Sequence, residues 1–271
     1  MAISRLSQNN ENFDIAIVSN IALELLLKNK MIVKDAFKDA KRQYLPMFED
    51  ISDHCLPFFW LISGYLYDPS NIREPIKQFS DFLNLKDRVP GIHLGVIDDL
   101  TEVVLRLKAD HSEKIDILSS YPKKRWTGMI YEVDIPRYFP HQNLAFFTWH
   151  GIAKDHLIAN QALEFSLPKH RPLIGYDAVC IMKNHKSDRK KLVDIVLEMT
   201  NLTNTNKNIV YNQYFSPYIE PQDKNLHPKV KKIYHEGLKS LRDRNYQITY
   251  PLSIEEIKTA NHWWRSHRYG G

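Results

Sequence analysis

One stretch, Leu144–Lys183, constrains the fold of this chain more than any other. It opens on a short apolar run, Leu144–Trp149. A turn at His150-Gly151 then starts an amphipathic helix over Ile152–Ala162. A second, alternating run covers Leu163–Leu167. A polar break with two prolines follows, and then a third run, Ala178–Met182. Short apolar runs bounded by turn signals read as buried strands, and the longer periodic segment reads as a helix. Trp149, Tyr176 and Asp177 sit at the ends of these runs. In an open α/β sheet the strand ends are where ligands bind.

The remainder of the chain has the same alternation. Ile15–Val18 is a short strand, after which Ser19-Asn20 caps a helix over Ile21–Asn29. Ile32–Arg42 reads as a second helix and Tyr44–Asp53 as a loop. Leu56–Trp60 and Ile62–Tyr67 form an extended stretch interrupted at Ser63-Gly64. Asn71–Leu83 reads as mostly helical, His93–Ile97 as a strand and Leu100–Ala109 as a helix. Glu113–Ser119 and Lys124–Val133 also read as helices. Beyond the central stretch, Asp188–Thr200 is an amphipathic helix with Leu192, Ile195, Val196 and Met199 on one face. Asn201–Tyr211 is a helix or turn, and Tyr214–Pro221 is an aromatic loop. Pro228–Leu241 is helical, Tyr246–Pro251 is a loop, and Ser253–Arg268 is a last helix opened by a Ser253/Glu256 capping box. Strands alternating with helices predict α/β architecture with mostly parallel pairing.

Composition excludes several classes. The 271 residues suffice for two modest domains, and nine glycines include no phosphate-binding loop pattern. A net charge of +5 spread among interspersed acids gives no nucleic-acid patch. No apolar run approaches a membrane span, and the first residues have no apolar signal core. Cys55 and Cys180 have no metal-binding spacing and read as two buried thiols, with a single disulfide as the alternative in an oxidising compartment. No hydrolase motif occurs, and His150 and His156 lie too far apart for one metal on a helix face. The expectation is therefore no enzyme activity, no cofactor and no metal.

Two features carry chemistry. Asp98-Asp99-Leu100-Thr101-Glu102 places Asp99 at a helix start and Glu102 about one turn on, so two carboxylates could hold an ammonium group. Helix capping accounts for the same pattern. Trp149, Tyr176 and Tyr214 each lie near a turn, and aromatic faces attract cations and pack alkyl chains, which suits a flexible diamine. Core packing is the alternative. Asp177, at the start of an apolar strand, is costly unless paired or solvated.

In this order, the motifs resemble the spermidine/putrescine-binding proteins of bacterial ABC importers. Phe13-Asp14-Ile15-Ala16-Ile17-Val18-Ser19, Leu56-Pro57-Phe58-Phe59-Trp60 and Ile97-Asp98-Asp99-Leu100-Thr101-Glu102-Val103 are similar to three of that family's segments. Phe147-Thr148-Trp149-His150-Gly151, Gly175-Tyr176-Asp177 and Tyr214-Phe215-Ser216-Pro217 are similar to three more. The resemblance implies a two-lobe α/β fold of the periplasmic-binding-protein type, with mixed, mostly parallel sheets joined by crossover hinge strands. It places residues 1–68 and 178–222 in one lobe and 69–177 and 223–271 in the other, with the ligand cleft between them. It implies that Asp99, Glu102 and Asp177 pair with ligand amines, that Trp149 stacks on the ligand, that Ser19, Tyr214 and Gln247 fix its ends, and that Tyr176 stands in for the family's aromatic that is Gly175 here. The implied partners are a polyamine and an importer permease, with no nucleic acid, in a periplasmic monomer. Three departures stand out: Ile21 and Gly175 replace ligand-facing aromatics, and Thr101 replaces an Arg. The family's first strand and its ligand loop have no counterpart before residue 3. Another small solute, or a degenerate non-binding relative serving as an interaction module, are the alternatives these departures leave.

Overall fold

In a computed structural model, residues 13–40, 42–89, 92–96, 100–111, 144–160, 162–219 and 223–268 are described. The chain divides into two compact units, Met1–Leu61 with Gly175–Leu226 and Ile62–Ile174 with His227–Gly271. Two long strands, β2 (Cys55–Tyr67) and β6 (Leu173–Ile181), each run from one unit into the other.

In the first unit, β1 (Ile15–Ser19) leads directly into α1 (Asn20–Lys28). Ser19 makes that junction: its Oγ accepts the Ala22 N–H at 3.4 Å, satisfying one of the donors a helix start leaves free. Leu23 and Leu26 bury the inner face of α1. β1 pairs antiparallel with β6, with Ser19 opposite Asp177 and Ile15 opposite Ile181. The helix expected over Ile32–Arg42 does not form. Lys30 and Asp35 adopt left-handed backbone, with φ of 54° and 51°. Ile32 bridges Met182, and the Val33 N–H donates to the Ile181 carbonyl at 2.9 Å. The edge of β6 offers backbone partners to two β-branched residues that favour extended structure, and this outweighs the weak helical pattern. Past a 3₁₀ turn at Pro46–Phe48, β2 begins.

α5 (Arg189–Met199) is capped by Asp188, whose Oδ1 accepts the Lys191 N–H at 3.0 Å, and it buries Leu192 and Val196. Ile195, expected on the same inner face, is instead 48% exposed. α6 (Leu202–Asn212) is capped by Asn201 and ends at Gln213, whose φ is 54°. The buried thiols are free: Cys55 donates to the Ile51 carbonyl and Cys180 to the Ala16 carbonyl.

In the second unit, β2 pairs antiparallel with β4 (Leu144–Trp149) and with β5 (Glu164–Ser166), and β3 (His93–Val96) runs parallel to β4. β6 pairs in parallel with β7 (Gln247–Ile248), a two-residue strand where the sequence suggests only a loop. The sheets are thus mixed, and the antiparallel pairings belong to the two strands that run through both units. Ser63-Gly64 does not interrupt β2. Gly64 permits a close approach, since a Cβ there would stand 2.6 Å from the Ser166 carbonyl oxygen and 2.5 Å from the Phe165 ring.

The helix expected over Asn71–Leu83 begins only at α2 (Phe79–Arg88). Pro75 falls inside the expected span, Ile72 and Ile76 are buried from non-helical backbone, and the Asp110 carboxylate accepts the Phe79 N–H at 2.9 Å. That carboxylate belongs to α3 (Leu100–His111) and also pairs with Arg106 at 2.5 Å. Arg106 is fully buried and donates to the His170 and Arg171 carbonyls, tying α3 to the approach to β6. α4 (His150–Ala159) follows β4 without the expected turn, because extended Trp149 serves as the N-cap. α7 (Pro228–Arg242) packs on α4, and α8 (Ile254–Arg268) packs on α3 through the Lys108–Glu256 pair. The Ser253/Glu256 capping box is formed in both directions. The helices expected at Glu113–Ser119 and Lys124–Val133 lie outside the described residues. Among the described residues, no helix is long and apolar enough to cross a membrane.

Removing one partner of a buried pair leaves the other charge without compensation. Asp110→Ala is expected to cost about 3–5 kcal/mol in urea denaturation, because Arg106 loses its counter-ion and α2 its cap. A loss below about 1 kcal/mol would show the pair to be replaceable by water.

Candidate functional site

In the first unit the pairing of β1 with β6 sets the site. It brings Ser19, the last residue of β1, directly opposite Asp177. One residue earlier on β6, the Tyr176 N–H donates to the Oδ1 of Asn20 at 3.1 Å, and Asn20 opens α1. The ladder therefore sets Ser19 and Asp177 on one face of the sheet, while Tyr176, the residue before Asp177 on the same strand, belongs to the other face. Gly175, Tyr176 and Asp177 lie within β6, not ahead of it, because Leu173–Ile174 already pair with β7.

Tyr176 is 8% exposed, with the Phe48 ring edge-on at 5.2 Å. Burial pushes its phenol up, and the fields of Cys55, Glu24 and Asp50 push the same way. Asp177 is half-buried, and desolvation raises its carboxyl above the ordinary value. Among the described residues no cation pairs with that carboxylate and no donor hydrogen-bonds to it. Its environment thus lacks the partner that a desolvated carboxylate requires.

Tyr214 is held in the same unit by the aromatic strip of β2. Its ring meets Phe59 at 4.6 Å. The next residue, Phe215, exchanges both backbone hydrogen bonds with Trp60, whose indole N–H donates to the Ser216 carbonyl at 2.8 Å.

In the second unit, Trp149 closes β4 opposite Ser63 and is 9% exposed. The following His150 is fully buried, and its Nδ1 accepts the Ile62 N–H at 3.1 Å, where β2 enters the unit. Gln247 is half-buried on β7 opposite Leu173, with its N–H donating to the Pro172 carbonyl at 3.1 Å. Glu102 lies in the first turn of α3. Asp99 lies outside the described residues. A cleft of about 400 Å³ on this unit is bordered by Tyr67, Lys77, Glu164, Lys232 and Glu236, and by none of the eight expected ligand residues. Among the described residues, no cluster of His, Cys, Asp and Glu could hold a metal.

Sequence reasoning missed Asn20 as the group that fixes Tyr176, although the Ser19-Asn20 cap pointed to the place. It missed Phe48, Glu24 and Asp50 altogether, since only tertiary contacts bring their elements to Tyr176.

No protein-family model and no curated protein sequence matches the chain. Solved structures do. A spermidine/putrescine ABC transporter substrate-binding protein from Streptococcus pneumoniae superimposes with a TM-score of 0.79 at 16% identity, over 98% of this chain and 87% of that one. This chain has the fold of ABC-importer substrate-binding proteins. The TpPotD lipoprotein of Treponema pallidum shares that fold at a TM-score of 0.76 and 10% identity, over 99% of this chain and 88% of its own. AgtB from A. tumefaciens R10, solved with agropinic acid, shares it at 0.66 and 11%, over 98% and 84%. The substrate-binding-protein fold therefore accommodates different solutes, and the solute must be argued from the side chains.

A carboxylate whose pKa is raised on folding stabilises the fold only in its neutral form. That contribution is present below the ordinary carboxylate pKa and is lost as pH rises through the raised value. At neutral pH, Asp177→Asn is thus expected to melt higher than the ligand-free parent, with the gap closing in acid. A variant that melts lower at neutral pH would show that the carboxylate is compensated.

Proposed function

We propose that the chain is the solute-binding protein of an ABC importer and that its solute is a polyamine, putrescine or spermidine. The observation that carries this reading is Asp177: a desolvated carboxylate without a counter-ion among the described residues, held opposite Ser19 and next in the chain to a buried tyrosine. An ammonium group supplies the missing positive charge and hydrogen-bond donors together. Asp99 and Glu102 pair with ligand amines, Trp149 stacks on the alkyl chain, and Ser19, Tyr176, Tyr214 and Gln247 orient it. Ser19 accepts from Ala22 and keeps its hydroxyl proton for donation. The protein acts outside the cytoplasmic membrane, catalyses no reaction and delivers its ligand to a permease. The fold neighbours support the transport role, while the polyamine rests on the acidic and aromatic side chains.

Titration calorimetry of the full chain against putrescine and spermidine tests this. Binding is expected to weaken with added salt, as screening requires. Loss of a charge-assisted contact predicts that Asp177→Asn weakens it by about 10- to 100-fold. Heat with agropinic acid and none with either amine would replace the polyamine by an acidic solute. Unchanged amine affinity in Asp177→Asn would remove that residue from the site.

A further inference from the structure

The sequence intersperses lysine and arginine with acids, but the fold gathers two basic segments at one end of the first unit. The stretch from the end of β6 into α5 carries Lys183, Lys186, Arg189, Lys190 and Lys191. The stretch after α1 carries Lys30 and Lys34, with Lys28 in the last turn of that helix. Backbone contacts join the two. The Lys183 N–H donates to the Met31 carbonyl at 2.8 Å, the Val33 N–H donates to Ile181 at 2.9 Å, and Ile32 bridges Met182. All these cations are exposed, and among the described residues none has an ion-pair partner.

The neighbouring acids are engaged elsewhere. The Asp14 carboxylate accepts the Lys186 N–H at 2.8 Å and the Ser187 hydroxyl, Asp188 caps α5, and Asp35 lies 3.2 Å from His54. The first turn of α5 contains no acid, so its N-terminal dipole adds to the positive field. At the same end Phe13, which precedes Asp14, is 43% exposed. Along the β1–β6 ladder this end is the far one from the candidate site. Ile15 pairs with Ile181 here, and Ser19 pairs with Asp177 about 13 Å further along.

We propose that this end of the first unit docks on a bilayer of anionic phospholipids. The inference goes beyond the transport reading and is independent of which solute is bound. Lysine and arginine reach headgroup phosphates on flexible apolar stems, and each adds a screened attraction. A bilayer fits both features of the patch: many loosely fixed anions for the cations, and an apolar layer beneath them for the Phe13 ring. Docking there leaves the Ser19–Asp177 end of the ladder off the lipid.

The test is co-sedimentation of the full chain with vesicles of phosphatidylglycerol and phosphatidylcholine, against vesicles of phosphatidylcholine alone. The variants are Lys183→Gln with Lys186→Gln, Lys190→Gln with Lys191→Gln, and Phe13→Ser. Lys239→Gln with Lys258→Gln removes equal charge from exposed positions in the second unit and is the control. The parent is expected to bind the anionic vesicles only, less as salt is added. Each patch pair should weaken that binding by about 10- to 30-fold, the effect of two cations at such a surface. Phe13→Ser should weaken it too, and the control pair should leave it as in the parent. Being exposed and unpaired, the lysine variants should melt as the parent does. A parent that fails to sediment with anionic vesicles, or sediments equally with both kinds, overturns the proposal. So does an equal loss in the control pair, which reduces the effect to net charge. Tighter binding of a single-stranded oligonucleotide than of vesicles at equal phosphate assigns the patch to nucleic acid and overturns it as well.

Discussion

The antiparallel pairing of β1 with β6 is the contact on which the candidate site depends. Register in a sheet is all or nothing, because a slip of one residue turns every side chain to the other face. Here the register puts Ser19 opposite Asp177. It therefore brings a helix start, a hydroxyl and a carboxylate together without any contact between the side chains of Ser19 and Asp177 needing to form first. Asn20 then fastens Tyr176 to the same helix start. The outer face of β1 is less buried than that of β6, so this pairing is maintained by β6, whose residues from Leu173 to Ile181 are almost all buried.

In the polyamine reading, stability and binding oppose each other at Asp177. A half-buried carboxylate without a partner is a cost that the rest of the fold must offset. Much of the offset is ordinary: the aromatic strip of Phe58, Phe59, Trp60, Tyr214 and Phe215 in the first unit, and the Tyr65, Phe79, Phe82 and Phe147 cluster in the second. The buried Arg106–Asp110 pair differs in kind. Its two charges pair with each other, Arg106 donates to two backbone carbonyls and Asp110 accepts a backbone N–H, so the pair positions α2, α3 and the approach to β6. Contrasted with it, Asp177 is a desolvated carboxylate with no partner among the described residues, and such groups gather where ligands bind.

The likeness in fold at 10 to 16% identity has a physical basis. A core tolerates exchange of one apolar residue for another when volume and periodicity are kept. A ligand site does not, because each polar group there answers a particular group on the solute.

The sequence by itself determined most elements whose signal is local. β1, α1, β4, α5 and the capped α8 follow from apolar period and capping residues, and these are properties of neighbours along the chain. It also marked Ser19 and Trp149 as residues at element ends. The tertiary structure alone decided that Ile32 and Val33 extend along β6 instead of coiling, that α2 waits for a cap from Asp110, and that Gly175–Asp177 lie inside a strand. It alone brought Phe48 edge-on to Tyr176. In each case the deciding partner lies far away in sequence, and a local pattern carries no information about which distant backbone or charge will be adjacent.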